Sequence, residues 1–155
     1  MRLALFQPDM APNVGAAIRL AACFGVPLDI VEPCGFPLTS RDIRRVAMDY
    51  ETLVTVDRHA SWDAFLNAID KSNRRLILMT TKASTPLWDH HFSQADTILL
   101  GQESAGVPAD VHGRADKRLA IPLAPAARSF NLVVSAGIAL GEASRQLGIA
   151  AIAAD

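Results

Sequence analysis

The chain has 155 residues, of which 50% are hydrophobic and 20% charged, and its formal net charge is −1. That length fits about one domain, that balance excludes a disordered or fibrous chain, and a chain of this size buries a core without covalent staples. No global positive field exists, so a nucleic-acid partner would have to meet a local basic patch.

Met1 to Phe6 turns polar at once in Gln7-Pro8-Asp9, too soon for a signal peptide. Residues 132–141 form the longest apolar stretch, about half of the roughly 20 residues that span a bilayer. Cys23 and Cys34 form no Cys-x-x-Cys pair and read as reduced thiols in packing roles. These features predict a soluble, cytoplasmic protein. Twelve arginines stand against three lysines, a bias that suits bidentate phosphate contacts and equally a GC-rich genome.

Short apolar runs alternate with helical patterns, which predicts an α/β domain with a mainly parallel sheet flanked by helices. Residues 3–6 read as the first strand. Residues 13–24 read as a helix capped by Asn13 and closed by Gly25, with Val14, Ala17, Ile18, Ala21 and Phe24 on its apolar face. A strand follows at 28–31, then a loop at 33–39. Ser40 is placed to cap a short basic helix over 41–47. Residues 53–56 read as a strand. Ser61 is placed to cap a helix through Ile69 that buries Trp62, Phe65, Leu66 and Ile69.

Three buried-looking strands come next, at 76–79, 98–100 and 119–121. Each runs into an unusual loop: 80–84, 101–106 and 122–130. Ligands of open α/β sheets sit outside the carboxyl ends of strands, so these loops predict one shared site. Gly101 and Gly106 bracket a turn that is neither a Walker loop nor a dinucleotide fingerprint. Ser129 or Asn131 is placed to cap the last helix, 131–147, which ends at Gly148; the same helix start offers N–H groups to a polar ligand. Small residues along it (Ser135, Ala136, Gly137, Ala139, Gly141, Ala143, Ser144) suit either packing on the sheet or a subunit contact. Gly15 costs the first helix about 1 kcal/mol against alanine, which suggests a close approach there, and Arg19 lies one turn on along the same face. Asp89, His90 and His91 do not converge at metal-ligand spacing, so no metal is expected. Arg41, Arg44, Arg45, Arg58 and His59 form the densest basic cluster, a solvated face or an RNA contact.

Three motifs occur in order: Asn13-x-Gly15-x-x-x-Arg19, Gly101-x-Glu103-x-x-Gly106, and Ile121-Pro122-Leu123 followed by Ser129-x-Asn131-Leu132. With Glu32-Pro33-x-Gly35-Phe36, Arg44-Arg45, Asp49-Tyr50, Thr80-Thr81-Lys82 and Arg145-Gln146-Leu147-Gly148, they cover nearly the whole chain. The combination resembles the SPOUT superfamily of knotted RNA methyltransferases, nearest to its small tRNA 2′-O-methyltransferases of the wobble nucleotide.

That resemblance implies one domain over 1–155, with a C-terminal deep trefoil knot and the cofactor site in about 76–148. It implies a homodimer, S-adenosylmethionine as methyl donor and S-adenosylhomocysteine as product. The implied substrate is the ribose 2′-hydroxyl of position 34, cytidine or a cmnm5-type uridine of tRNA-Leu isoacceptors, met in the anticodon stem-loop. A different tRNA or rRNA site, or a non-catalytic RNA-binding module, are the alternatives. The implied cofactor residues are Met79, Thr80, Gly101, Glu103, Gly106, Ile121, Leu123, Ser129 and Asn131. Arg19, Glu103 and Asn131 are the implied catalytic set; Asn13, Arg19, Arg41, Arg44, Arg45 and Arg128 are the implied RNA contacts. The chain departs from the pattern at Gln102, where proline is common, at Ser104-Ala105, where a polar-basic pair is common, and at Phe130, where methionine is usual. Gly141 and Ser144 stand where relatives carry aromatic residues.

Overall fold

The computed structural model describes residues 1–38 and 48–149. In chain order the elements are β1 (Arg2–Phe6), α1 (Ala11–Phe24), β2 (Leu28–Val31), a 3-10 turn (Met48–Leu53), β3 (Val56–His59), α2 (Trp62–Lys71) and β4 (Arg75–Met79). Then come β5 (Thr85–Pro86), a second 3-10 turn (Leu87–Asp89), β6 (Asp96–Leu100), α3 (Ala109–Arg114), β7 (Lys117–Ala120) and α4 (Leu132–Leu147). The strands form one seven-stranded sheet in the order β3-β2-β1-β6-β4-β7-β5. Every pairing is parallel. β6 is late in the chain yet slots between β1 and β4, and β7 slots between β4 and β5. The carboxyl ends of β1, β6, β4 and β7 therefore lie side by side.

Strand residues alternate between the two faces of the sheet. Leu3, Leu5, Leu28, Ile30, Ile77, Ile98 and Leu100 face α1 and α4, which contribute Val14, Ala17, Ile18, Ala21, Ala136, Ala139, Leu140 and Ala143. Ala4, Phe6, Val31, Leu76, Leu78 and Leu99 face α2 and α3, which contribute Phe65, Ile69 and Val111. A parallel sheet covered on both sides has continuous apolar strands, which is why β4 and β6 were so plain in the sequence. The alanines of α4 let it settle closely on α1: a Cβ added at Gly137 would meet Leu20 Cδ1 at 3.7 Å. This gives the small residues of the last helix a packing role.

The helix ends follow the sequence signals in most places. Gly25 (φ 62°) and Gly148 (φ 64°) close α1 and α4 in the left-handed conformation. Ser61 Oγ accepts the Ala64 N–H at 3.1 Å, and Asn131 Oδ1 accepts those of Val133 and Val134 at 2.8 and 3.4 Å. The start of α1 is different. It begins at Ala11 with Met10 at the cap position and a proline in the first turn, so Asn13 lies inside the first turn and its side chain is released for other bonds.

The strand expected at 53–56 is corrected: a 3-10 turn runs through Leu53, and β3 is Val56–His59. The reason is electrostatic. β3 is an edge strand, and its polar residues complete an ion cluster that an apolar-run search overlooks. Arg2 Nε and Nη2 donate to the Asp29 carboxylate at 2.6 and 3.0 Å, Arg2 also donates to Asp57, and His59 Nε2 lies 2.7 Å from Asp29 Oδ1. β5, α3 and the two 3-10 turns are too short to carry a periodic pattern. Ser40 and the helix expected over 41–47 lie outside the described residues. Among the described residues no helix is long and apolar enough to cross a membrane.

Asp29 is only 5% exposed at its side chain, so its charge needs Arg2. The Arg2→Met variant leaves that buried carboxylate short of a partner. Its unfolding free energy, measured by urea denaturation, is expected to fall by about 3 kcal/mol.

Candidate functional site

A cavity of about 530 Å³ opens at the carboxyl ends of the central strands, within the range typical of small-molecule sites. Met79, Leu100, Ile121, Leu123 and Leu132 supply apolar wall. The rest is largely loop, from 80–82, 101–107 and 128–131. The 101–106 loop is pinched shut by paired backbone bonds, Gln102 N to Gly106 O at 2.8 Å and Gly106 N to Gln102 O at 2.9 Å. That closure leaves no room for a side chain at position 101: a Cβ there would lie 2.6 Å from Gly106 C and 2.7 Å from Gly106 O. The backbone of the turn consequently stands bare against the cavity.

Side chains tie the 101–106 turn and the start of α4 to the segment that leads into α1. Asn13 Nδ2 donates to Glu103 Oε1 at 2.8 Å, and Asn131 Nδ2 donates to Asn13 Oδ1 at 3.2 Å. The Asp9 N–H donates to Glu103 Oε2 at 3.1 Å. Ser104 returns the contact: its N–H donates to Asp9 Oδ2 at 3.3 Å, and its hydroxyl donates to the same oxygen. The chain reaches this position by a left-handed residue directly after β1, Gln7 at φ 45°, whose N–H bonds Val31 O at 2.9 Å. Burial, then the neighbouring Asp9 carboxyl, raises the Glu103 pKa above the ordinary carboxylate value. Hydrogen bonding to Glu103 and to Ser104 lowers that of Asp9.

All nine cofactor residues expected from the sequence line this cavity: Met79, Thr80, Gly101, Glu103, Gly106, Ile121, Leu123, Ser129 and Asn131. Asn13 and Arg128 line it too. Arg19 does not. It is exposed on α1, with its guanidinium carbon 4.9 Å from the centre of the Tyr50 ring. It lines a second cavity of about 430 Å³ with Gly15, Ala16, Leu20, Cys23 and Val133. The two cavities flank the start of α4, since Leu132 lines one and Val133 the other.

Arg41, Arg44 and Arg45 lie outside the described residues. Their expected companions are engaged elsewhere: Arg58 Nε donates to Glu32 Oε1 at 2.6 Å, and His59 belongs to the Asp29 cluster. Cys34 is half-buried and its thiol is pushed up to about 11, chiefly by burial, which fits a packing role. Cys23 is exposed, against the packing expectation, because it sits on the open side of α1. His90 is buried, its pKa lowered mainly by desolvation. Among the described residues no group of three His, Cys, Asp or Glu side chains is arranged to hold a metal.

Sequence reasoning missed Asp9, Met10 and His112 as site neighbours. Asp9 had a signal, an acidic residue just past Gln7-Pro8 at the end of the first strand, but its partner Ser104 is 95 residues away. A Gly101→Ala variant is expected to unfold more easily by about 2 kcal/mol, read as a melting temperature several degrees lower. Gly113→Ala, whose Cβ meets nothing within 4 Å, is the control and is expected to match or exceed the parent.

A family model described as "SpoU rRNA Methylase family" matches residues 1–141. A tRNA (cytidine(34)-2′-O)-methyltransferase of Beijerinckia indica is 50% identical over 146 residues, covering 94% of this chain and 91% of the relative. A solved structure described as "Structural insights into the 2-OH methylation of C/U34 on tRNA" superposes with a TM-score of 0.88 at 37% identity, covering 95% of each chain. An AdoMet-bound rRNA methyltransferase from Sinorhizobium meliloti superposes with a TM-score of 0.83 at 26% identity, covering 94% of this chain and 56% of the other. A late-inserted pair of strands, a loop-built cavity at their ends and a match running through both place the chain in one group: it belongs to the SpoU rRNA Methylase family.

Proposed function

We propose that the chain transfers a methyl group from S-adenosylmethionine to the ribose 2′-hydroxyl of the tRNA wobble nucleotide, position 34, cytidine or a modified uridine. The observation that carries this reading is the 530 Å³ cavity, whose wall contains all nine residues that the family resemblance implies for the cofactor. Its chemistry suits an adenosyl sulfonium. Backbone groups of three loops face the cavity for the polar edge of adenine, while Met79, Ile121 and Leu123 offer apolar surface to its faces. Glu103 is the carboxyl group among the lining residues, and its bonds to the Asp9 N–H and the Asn13 amide hold the 101–106 turn in the cavity wall.

When bound, the sulfonium supplies an already activated methyl group. The protein's task is then to hold donor and hydroxyl in line and to exclude water, which is catalysis by positioning. Asn131 caps α4 with its oxygen and bonds Asn13 with its nitrogen, so it fixes the cavity floor in one rotamer. A guanidinium stays protonated in proteins, so Arg19 serves as a clamp on phosphate and as a stabiliser of the developing alkoxide, rather than as a base. Arg128 lines the cavity and, with Arg41, Arg44 and Arg45, extends the contact to the anticodon stem-loop.

The reading includes a homodimer, one domain over 1–155 and a cytoplasmic setting. Met10, Phe130 and Val134, which are 49%, 43% and 49% exposed around the starts of α1 and α4, support a covered surface there. Arg19, outside the cavity within one chain, supports pooling basic residues over two subunits. It also includes a knot in about 76–148. In support, β6 and β7 are inserted between earlier strands. Gln146 of α4 reaches back to the segment before β6, accepting from Phe92 N at 2.9 Å and donating to His90 O at 2.9 Å.

Calorimetric titration with S-adenosylmethionine is expected to show saturable one-site binding; no heat would leave only an RNA-binding module. Nucleoside mapping of tRNA-Leu from a strain lacking the chain is expected to show an unmethylated wobble ribose. Arg19→Lys keeps the charge and loses the fork. It is expected to slow methylation by about 100-fold with cofactor affinity unchanged.

A further inference from the structure

We propose that Asp9 is a positioning residue that shares a single proton with Glu103, so that the 101–106 loop is latched most tightly to the start of α1 while that proton is held. The proposal rests on the methyltransferase reading for its consequence and on the geometry for its existence.

The geometry is a count of donors and acceptors. Asp9 Oδ2 takes both donors of Ser104. Glu103 takes the Asp9 N–H on Oε2 and the Asn13 amide on Oε1. Asp9 Oδ1 is buried and receives no hydrogen bond, although Glu103 Oε2 sits 3.1 Å from the Asp9 backbone nitrogen. A buried carboxylate oxygen without a donor is costly. A proton on Glu103 supplies the missing donor and removes the repulsion between two like charges.

Two bonds from Ser104 hold the Asp9 carboxyl in place, and its backbone is fixed as well. Gly35 packs on its backbone, where an added Cβ would lie 2.7 Å from Asp9 Cβ, and Gly35 N bonds Pro8 O at 3.0 Å. Cys34, next to Gly35, stays a neutral thiol, its pKa pushed up to about 11 chiefly by burial. Asn13 and Asn131, on the starts of α1 and α4, are neutral. His112 of α3, Lys82 after β4 and Arg128 after β7 line the cavity that Glu103 also lines. The pair therefore titrates as a unit, its lower step below the ordinary carboxylate range and its upper step above it.

The sign follows. Below the upper step the neutral Glu103 bridges to the charged Asp9 and the loop is held. Above it two carboxylates face each other and the loop loosens from α1. Because this loop forms part of the cavity wall, affinity for S-adenosylmethionine declines as pH rises through the upper step. The expected loss is about tenfold.

The test is a carbon-detected NMR titration of the side-chain carboxyl groups in the full chain, with cofactor affinity measured at the same pH values. Glu103 is expected to titrate above the ordinary glutamate value. Asp9→Asn is expected to bring its midpoint down to that value or below, because the amide donates to the carboxylate, and to flatten the affinity profile. Asp9→Glu is expected to retain the raised midpoint. Ser104→Ala, which removes only the hydroxyl donor to Asp9, is expected to move the lower step up and serves if Asp9→Asn does not fold. A Glu103 midpoint at its ordinary value, a midpoint unmoved by Asp9→Asn, or a lower step unmoved by Ser104→Ala would overturn the proposal. Raised titration in a chain that binds no S-adenosylmethionine would instead overturn the methyltransferase reading and leave the shared proton standing.

Discussion

Asn13 links segments that are remote in the chain. Its amide nitrogen bonds Glu103, 90 residues on, and its oxygen accepts from Asn131, 118 residues on. These two bonds set the first turn of α1, the turn after β6 and the start of α4 against one another. Each segment by itself is a loop or a helix end with backbone groups that need partners. Together they form a rigid rim, and the cavity is the space they enclose. An amide is suited to this post because it donates and accepts at once. Neither a carboxylate nor an ammonium could bond both Glu103 Oε1 and the Asn131 amide.

The sheet makes that meeting possible. Inserting β6 between β1 and β4 brings the 101–106 turn beside the residues that leave β1, and inserting β7 beside β4 brings the last loop across the 80–82 turn. Apolar burial on both faces holds the strands at this register; each fully buried leucine, isoleucine or phenylalanine contributes about 1.5–3 kcal/mol. The Arg2–Asp29–Asp57–His59 cluster ties β1, β2 and the edge strand β3 on the α2 side of the sheet. Stability is thus concentrated in the sheet and the helices on it, while the loops at its carboxyl edge are left free to carry chemistry. The glycine at position 101 is where the two demands meet, since the turn closes too tightly for any side chain.

Much of this was legible in the residues. The alternation of apolar runs with helical patterns marked an α/β chain, and strands buried on both faces announced themselves as continuous apolar segments at 76–79 and 98–100. Caps at Ser61, Asn131, Gly25 and Gly148 were readable because capping is local chemistry, decided within three or four residues. The ordered motifs around Gly101, Ile121 and Ser129 named seven cavity residues, and the wider family resemblance added Met79 and Thr80. Local rules failed where a distant partner overrode them. β3 is polar because its Asp57 and His59 complete one ion cluster with Arg2 and Asp29, and Asn13, one turn inside a helix that starts at Ala11, spends its side chain on Glu103 and Asn131.

Composition, apolar period and capping residues were enough to establish the class of fold, most helix ends and the loops that matter, since each depends on interactions a few residues long. The strand order, the separation of Arg19 from the cavity, and the pairing of Asp9 with Glu103 and Ser104 arose in three dimensions. The chain's local preferences carry no record of which late strand will be inserted beside which early one. That insertion alone brings a carboxyl group after β1 against another after β6.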